Sequence, residues 1–338
     1  MNLLACDLGG TKVLIGIYSN NDNRPKLLKK EKYLSSEWDS IYQIIEDFLF
    51  KKCIGIQPPE KACFGIAGPV NNHSAKITNL NWEIDELVLK KSFNLKSVEL
   101  INDFAVLLYG IPFLKESQYM TIQNGAKLKL KKENLHTIVG AGTGLGVSRG
   151  LISEENIFVL ASEGGHVEFA PKTNKEWEIK LWLQDNLKVD RISNERIVSG
   201  EGLLNIANWR FSKKDLENHP FKCLLETQKS STSRKKLPEK ICELASQGDH
   251  TMLEIEKIWL DAYASFIGDL AVHELCYGGL WIAGGTASKH SSNFKSDSFL
   301  KQILNKGRLK DIVRSIPIRV ILDEDLGLHS AACKAQIL

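Results

Sequence analysis

The sequence predicts an α/β protein of two lobes with mixed sheets, and three observations carry that expectation. The chain has 338 residues, more than a single hydrophobic core usually serves. Short β-type runs alternate with helical periodicities along most of it. Two β-type hairpins with glycine-rich turns, at Gly9-Gly10-Thr11 and Gly140 to Gly144, recur in separate halves. The expected division is a smaller lobe of residues 1–112 plus 323–338 and a larger lobe of 113–322.

Leu3 to Cys6 and Val13 to Tyr18 read as strands joined by a tight glycine turn, where backbone N–H groups and the Thr11 hydroxyl can approach a phosphate. Asp7 stands at that turn, placed to orient a hydrated Mg²⁺. The P-loop pattern fails, because no glycine immediately precedes Lys12 and no helix follows. An ordinary glycine hairpin is the simpler account of these residues alone. Residues 20–32, rich in lysine, read as a hairpin tip or loop. Ser36 to Phe50 carry Ile41, Ile44, Ile45 and Phe48 at helical spacing, with a Ser36-x-x-Asp39 start. Ala62 to Ala67 form a buried strand, and Glu86 to Phe93 a short helix.

The strand at Val98, Leu100 and Ile101 then ends in Asn102-Asp103, and a helical run follows. Polar groups at a strand exit face a crevice in open α/β sheets, which is where a catalytic carboxylate is expected. Helix capping by Asp103 is the local alternative. Ile111-Pro112 stops the helix.

In the second half, Tyr119 to Ile122, Thr137 to Val139, Leu145 to Val147 and Ile157 to Leu160 read as strands, and Gly140 to Gly144 repeats the phosphate-turn design. No GxGxxG register fits, so a dinucleotide fingerprint is excluded. Glu163 and His166 straddle Gly164-Gly165 and can converge on one small ligand; a zinc reading lacks a second histidine. Lys175 to Leu187 read as an amphipathic helix with Trp177 and Trp182 in the core. Glu195 falls in a short polar turn, 211–250 is the most polar part, and 228–236 reads as a loop. Leu237 to Ser246 form a short helix, and Met252 to Glu274 a long packing helix with one apolar face. Leu280 to Ala283 form a strand before Gly284-Gly285-Thr286, where bare backbone offers a surface for a purine or ribose. Ile318 to Leu322 and Leu326 to Ile337 supply the last strand and helix.

Composition excludes several classes. The net charge of +3 is small and dispersed, so the lysine clusters at Lys29-Lys30, Lys127 to Lys132 and Arg234 to Lys236 read as solvated surface, with no nucleic-acid partner expected. No apolar run approaches the ~18 residues of a membrane span. Asp7 interrupts the first apolar segment, unlike a signal peptide. The seven cysteines are scattered without CxxC or metal-like spacing, which fits reduced thiols in a cytoplasm.

In this order the motifs resemble the bacterial-type glucokinases: "CDLGGT", "FGIAGPV", "ITNLNW", "LINDFA", "GAGTGLGV", "EGGHVEFAP", "ERIVSGEGLLN", "GGLWIAGG" and the tail from "KGRLKDIV" to "LGLHSAA". The resemblance implies the two-lobed ribonuclease-H-like fold shared by actin and hexokinase, with the active site in the interlobe cleft. It implies ATP-dependent phosphorylation of glucose to glucose 6-phosphate, the first step of glycolysis, with ATP and Mg²⁺ required and a homodimer as the assembly. Carried over position by position, Asp103 looks like the general base on the 6-hydroxyl. Asn102, Asp103, Glu163, His166 and Glu195 look like the sugar ligands. Cys6, Asp7, Leu8, Gly9, Gly10 and Thr11, with Gly142, Thr143, Gly144, Gly284 and Gly285, look like the ATP contacts, Asp7 serving Mg²⁺ through water.

The chain departs from the family pattern at Glu201 in "SGEG", where proline is usual, at Lys12, and at His329-Ser330, where an apolar residue and a glycine are usual. The related repressor-and-kinase family carries a cysteine-rich zinc motif beside its histidine; no such motif accompanies His166. The rival readings are a kinase for another hexose or an amino sugar, or one using ADP or polyphosphate, and a non-catalytic sugar sensor of the same fold.

Overall fold

The computed structural model describes residues 1–20, 24–77, 80–126, 134–154, 156–227, 234, 236–286 and 290–338. The lysine run 127–132, residues 78–79 of "KITNLNW" and most of the 228–236 loop lie outside the described residues. The chain forms two compact units: Met1–Tyr119 with Ser148–Ala161 and Asp323–Leu338, and Met120–Val147 with Ser162–Leu322. Among the described residues no helix is long and apolar enough to cross a membrane.

In the first unit, β1 (Asn2–Leu8), β2 (Lys12–Ser19), β3 (Lys26–Leu34) and β4 (Pro59–Ile66) are followed by a small meander, β5 (Val70–Asn71), β6 (Ser74–Ile77) and β7 (Trp82–Asp85), and by β8 (Ser97–Asn102). The main sheet has the order β3-β2-β1-β4-β8, with β1, β4 and β8 parallel and β2 and β3 antiparallel to their neighbours. Strand β1 is buried on both faces, and its alternation sorts two cores. Leu4, Cys6 and Leu8 join Ile41, Ile44, Phe48 and Phe64 on one side. Leu3 and Ala5 join Val106, Tyr109, Leu328 and Ala331 on the other.

Two local expectations change here. Part of the 20–32 stretch is not a loop but the start of edge strand β3; with only one neighbouring strand, it turns its lysines outward and buries Tyr33 alone. The first helix starts at Ile41, not at the Ser36-x-x-Asp39 signal. Ser40 is its cap and accepts from Gln43 N (3.4 Å), while Gln43 Oε1 accepts from Asp39 N (3.2 Å). The same reciprocal chemistry is shifted along the chain because the buried stripe begins at Ile41.

In chain order the remaining strands are β9 (Tyr119–Gln123), β10 (Asn134–Ala141), β11 (Leu145–Ile152), β12 (Ile157–Leu160), β13 (Gly279–Ile282) and β14 (Ile318–Ile321). The second unit's sheet runs β11-β10-β13-β14-β9, with β10, β13 and β14 parallel. From Ser148 onward β11 belongs to the first unit, where Arg149–Ile152 pair antiparallel with β12. Helix His250–Glu274, capped by Asp249, lays Ile255, Trp259, Tyr263 and Ile267 into the second unit's core. Helix Asn174–Leu187 instead buries Glu176, Ile179 and Leu183. Trp177, expected in the core, is half exposed beside Lys180, because the capping box of Thr173 and Glu176 turns Glu176 inward and its neighbour out. The polar 211–250 stretch also holds a helix, Pro220–Thr227, whose Phe221 and Leu225 are buried.

Helices Asp103–Gly110 and Leu326–Gln336 pack closely in the first unit. A side chain on Gly110 would run into the Ser330 hydroxyl and come within 2.8 Å of Leu326 Cδ1. Gly110→Ala is therefore expected to destabilise the protein by about 1–3 kcal/mol in urea denaturation, and Gly110→Ala with Ser330→Gly to recover part of that loss. Equal stability of Gly110→Ala and wild type would refute this packing.

Candidate functional site

The first unit's polar groups gather because β1, β4 and β8 are parallel and in register. Asp7 lies beside Gly65, and Ile66 beside Asn102, so three strand exits stand together. Asn102, not Asp103, caps the following helix: its Oδ1 accepts from Phe104 N (3.0 Å) and Ala105 N (3.1 Å). Asp103 is then the first helical residue. Its Oδ1 accepts from Asn102 Nδ2 (3.1 Å) and Phe104 N (3.0 Å). Asn102 Nδ2 directs its other hydrogen to Gly68 O at 3.4 Å, a long bond that a ligand oxygen can replace.

Burial pushes Asp103 up to about 7, and the charge of Asp7 adds to the rise; the bonds from Phe104 N and Asn102 oppose it. Asp7 is itself raised to about 6 by burial, against the attraction of Lys12. The first turn of helix Leu326–Gln336 lies against Asp7, where a Cβ on Gly327 would sit 2.7 Å from Asp7 Oδ2. A helix N-terminus there favours the charged carboxylate. The hairpin turn beside it closes with Gly9 N donating to Lys12 O (3.0 Å), and Ser35 N donates to Thr11 O (3.1 Å). Cys6 and Leu8 are wholly buried, so any part they take in phosphate contact falls to their backbone.

In the second unit the 3₁₀ turns Gly164–His166 and Asn194–Arg196 bring three predicted residues together. His166 Nε2 is 3.8 Å from Glu163 Oε2, and its Nδ1 is 3.9 Å from Glu195 Oε1. Glu195 is the fixed member: its Oε2 accepts from Leu145 N (2.9 Å). A Cβ on Gly144 would lie 2.5 Å from that oxygen, so only glycine there admits the carboxylate. Asn194 Nδ2 donates to Val167 O (3.0 Å) and Ser199 Oγ to Glu195 O (2.7 Å), which holds the two turns in place.

His166 and Glu195, but not Glu163, border a cavity of about 670 Å³ lined also by Thr143, Arg191, Arg196 and Ser199 among others. A second cavity of about 1100 Å³ is lined by Gly142, Thr143, Gly200, Leu203, Gly285 and Thr286 among others. Thr143, Ser199 and Glu201 border both. The turn between them is tied down by Gly142 N donating to Gly144 O and Gly200 N donating to Gly142 O, each 2.8 Å. Gly284 adopts a φ of +89° and is exposed; its neighbour Gly285, not Gly284 itself, lines the cavity. The sequence does not single out Ser199, Arg191 or Arg196, and it marks Glu201 only as a departure from the family pattern. They lie in or beside "ERIVSGEGLLN", and only the fold brings them to a cavity.

The family model described as Glucokinase matches residues 4–337. A glucokinase of Nostoc sp. is 37% identical over 344 aligned positions, covering 99% of each chain. Among solved structures, a glucokinase from an Antarctic psychrotroph superposes with a TM-score of 0.81 at 23% identity, covering 100% of this chain and 99% of its own. A Balamuthia mandrillaris glucokinase solved with glucose gives 0.77 at 18% identity, covering 99% and 93%. A family match over nearly the whole length and full-length identity at this level agree with the motif order, and the chain belongs to the glucokinase family.

Proposed function

We propose that the protein transfers the γ-phosphoryl group of ATP to the 6-hydroxyl of glucose, with Asp103 as the general base. The observation that carries this reading is the Asp103 carboxyl at the exit of β8, raised to about 7 by burial and by Asp7. A base poised near the working pH is the kind that takes a hydroxyl proton efficiently, worth about 10²–10⁴-fold. Asn102 Nδ2 donates to the sugar, and Glu163, His166 and Glu195 supply acceptors and donors for its other hydroxyls. Such pairing rejects analogues that lack a hydroxyl, since the site's polar groups would be left unmatched.

The 1100 Å³ cavity suits the nucleoside of ATP, and the shared Thr143 border suits the phosphates. Mg²⁺ fits the donor set near the first glycine turn, because the half-buried Asp7 offers hard oxygen ligands beside backbone N–H groups. When bound, the ion would neutralise phosphate charge. Asp7 would orient its water shell, and Asp103 would act on the sugar alone.

Asp103→Asn is expected to lower kcat about 10²–10⁴-fold with glucose and ATP, measured by coupled ADP release. Near-normal turnover would overturn the assignment; glucose binding without any ADP release from the wild type would favour a sensor. A panel of glucose, mannose and N-acetylglucosamine compares the sugars.

The pH dependence follows from the raised pKa. In the wild type, kcat/KM should rise with pH through about 7 as Asp103 ionises. Stability should move the other way. The native state holds the Asp103 proton between about 4 and 7 while the unfolded chain has lost it, so this group's stabilisation falls as pH rises across that window. Thermal melts should therefore show Asp103→Asn gaining on wild type between pH 5 and 8; a constant difference would argue against the raised pKa. Gly144→Ala should displace Glu195 and raise the KM for glucose more than that for ATP, a split that steady-state kinetics can read.

A further inference from the structure

The wall of the 1100 Å³ cavity carries three side chains in a line that the phosphoryl transfer does not use. Glu256 Oε1, on helix His250–Glu274, is 3.3 Å from His290 Nδ1. His290 Nε2 is 3.6 Å from Cys242 Sγ, on helix Leu237–Ser246. All three border the cavity. The imidazole is buried and held between Trp259, with ring centroids 5.4 Å apart, and Phe294, at 6.2 Å. Asn293 Nδ2 donates to Glu256 Oε1 (3.3 Å) and also lies 3.4 Å from His290 Nδ1.

Glu256 Oε1 is an acceptor facing Nδ1, and in the tautomer with the proton on Nδ1 the Nε2 lone pair points at the thiol. Nucleophile, base and orienting acid thus stand in the sequence that activates a cysteine. A metal ion is the other use of a Cys, His and Glu set. Their ligand atoms lie within 4.8 Å of one another, so a single ion is the rival occupant, and the zinc arm of the labelling experiment below decides between the two. Cys333 meets His329 Nε2 at the same 3.6 Å, but it is buried and that nitrogen already accepts from Arg24 Nε.

We propose that Cys242 is a nucleophilic thiol, poised by His290 and Glu256, that exchanges with low-molecular-weight disulfides and so closes the nucleotide cavity. The closure rests on reading that cavity as the ATP site; the reactivity does not. In the exchange His290 Nε2 takes the thiol proton, and the Cys242 sulfur attacks one sulfur of the disulfide. A new S–S bond forms as the old one breaks. The departing thiolate recovers the proton and leaves as a thiol, so Cys242 is oxidised to a mixed disulfide and the released half is reduced.

A short pulse of iodoacetamide at pH 7, read by site-resolved mass spectrometry, compares Cys242 with the exposed Cys223 in the same folded protein. Cys242 should label about fivefold faster, and His290→Gln and Glu256→Gln should each remove the advantage. The proposal fails if wild-type Cys242 labels no faster than Cys223, a comparison that needs no variant, or if stoichiometric zinc survives gel filtration and blocks labelling. Glutathione disulfide then tests the closure in a Cys223→Ser background. Modification at Cys242 should raise the KM for ATP roughly tenfold, leave glucose binding by tryptophan fluorescence unchanged, and reverse with dithiothreitol. Unchanged ATP saturation at full modification overturns the closure. Absent activity before modification counts against the kinase reading instead, and the labelling rates still decide the thiol.

Discussion

Three parallel strand exits brought into register by β1, β4 and β8 make the first unit's chemistry possible, and burial of those strands sets its electrostatics. Strand β1 is apolar on both faces, so the carboxylate at its end leaves water before it meets any compensating charge. Asp103 arrives at the neighbouring exit and feels the same loss of solvent plus the charge of Asp7. Nothing nearby cancels this fully. Lys12 and the first turn of helix Leu326–Gln336 favour the charged form of Asp7, while the Asn102 amide and the Phe104 N–H favour that of Asp103. The outcome is a pair of acids that titrate near neutrality, maintained by residues from both ends of the chain.

The second unit solves a different problem, that of holding a carboxylate still while its neighbours remain exposed. Glu195 is fixed by a backbone donor from Leu145 and by the space that Gly144 leaves, and it gives His166 a reference point. Glu163 is far more exposed, with a comparable 3.8 Å approach to the same ring. A graded set of this kind, one rigid acid and two freer partners, suits a ligand that orders the outer groups as it binds. The glycine turn that admits Glu195 also carries Thr143, at the border of both cavities, so the geometry of the two cavities depends on one short backbone segment.

Much of this was readable from the chain. Buried strands such as Ala62 to Ala67 and the long helix ending at Glu274 follow from apolar runs and periodicity, and the fold of the family is matched by the solved structures. The exceptions share a cause, since each depends on a neighbour remote in sequence. Lysine-rich β3 is a strand because β2 pairs with it, not because its own pattern buries a face. Trp177 lies outside because a glutamate took the inward place. Local pattern marked Asn102-Asp103 as a pair and offered Asp103 as the helix cap, whereas Asn102 is the residue that caps it. The capping geometry that gives Asn102 the helix end, and frees Asp103 from it, needs backbone angles that residue types do not encode. Arg191, Arg196 and Cys242 had no pattern at all before the cavities formed.

The departures from the family pattern gain a physical account at two positions. Ser330, where the resemblance expects glycine, puts a hydroxyl between two close helices, and the facing residue is Gly110, which leaves room for it; Ser330 Oγ donates to Leu107 O (3.4 Å). Glu201, where proline is usual, lies in the first turn of helix Gly200–Phe211, capped by Ser199. That turn accepts either residue: proline because its missing N–H has no helical partner, glutamate because its charge faces the positive end of the helix. The exchange is thus neutral for the helix but not for the cavities it borders, where a carboxylate would repel phosphate. Arg234 answers that charge, its Nη2 donating to Glu201 Oε1 at 2.6 Å. The carboxylate and its guanidinium together restore the electrostatic balance that an uncharged proline would have left undisturbed.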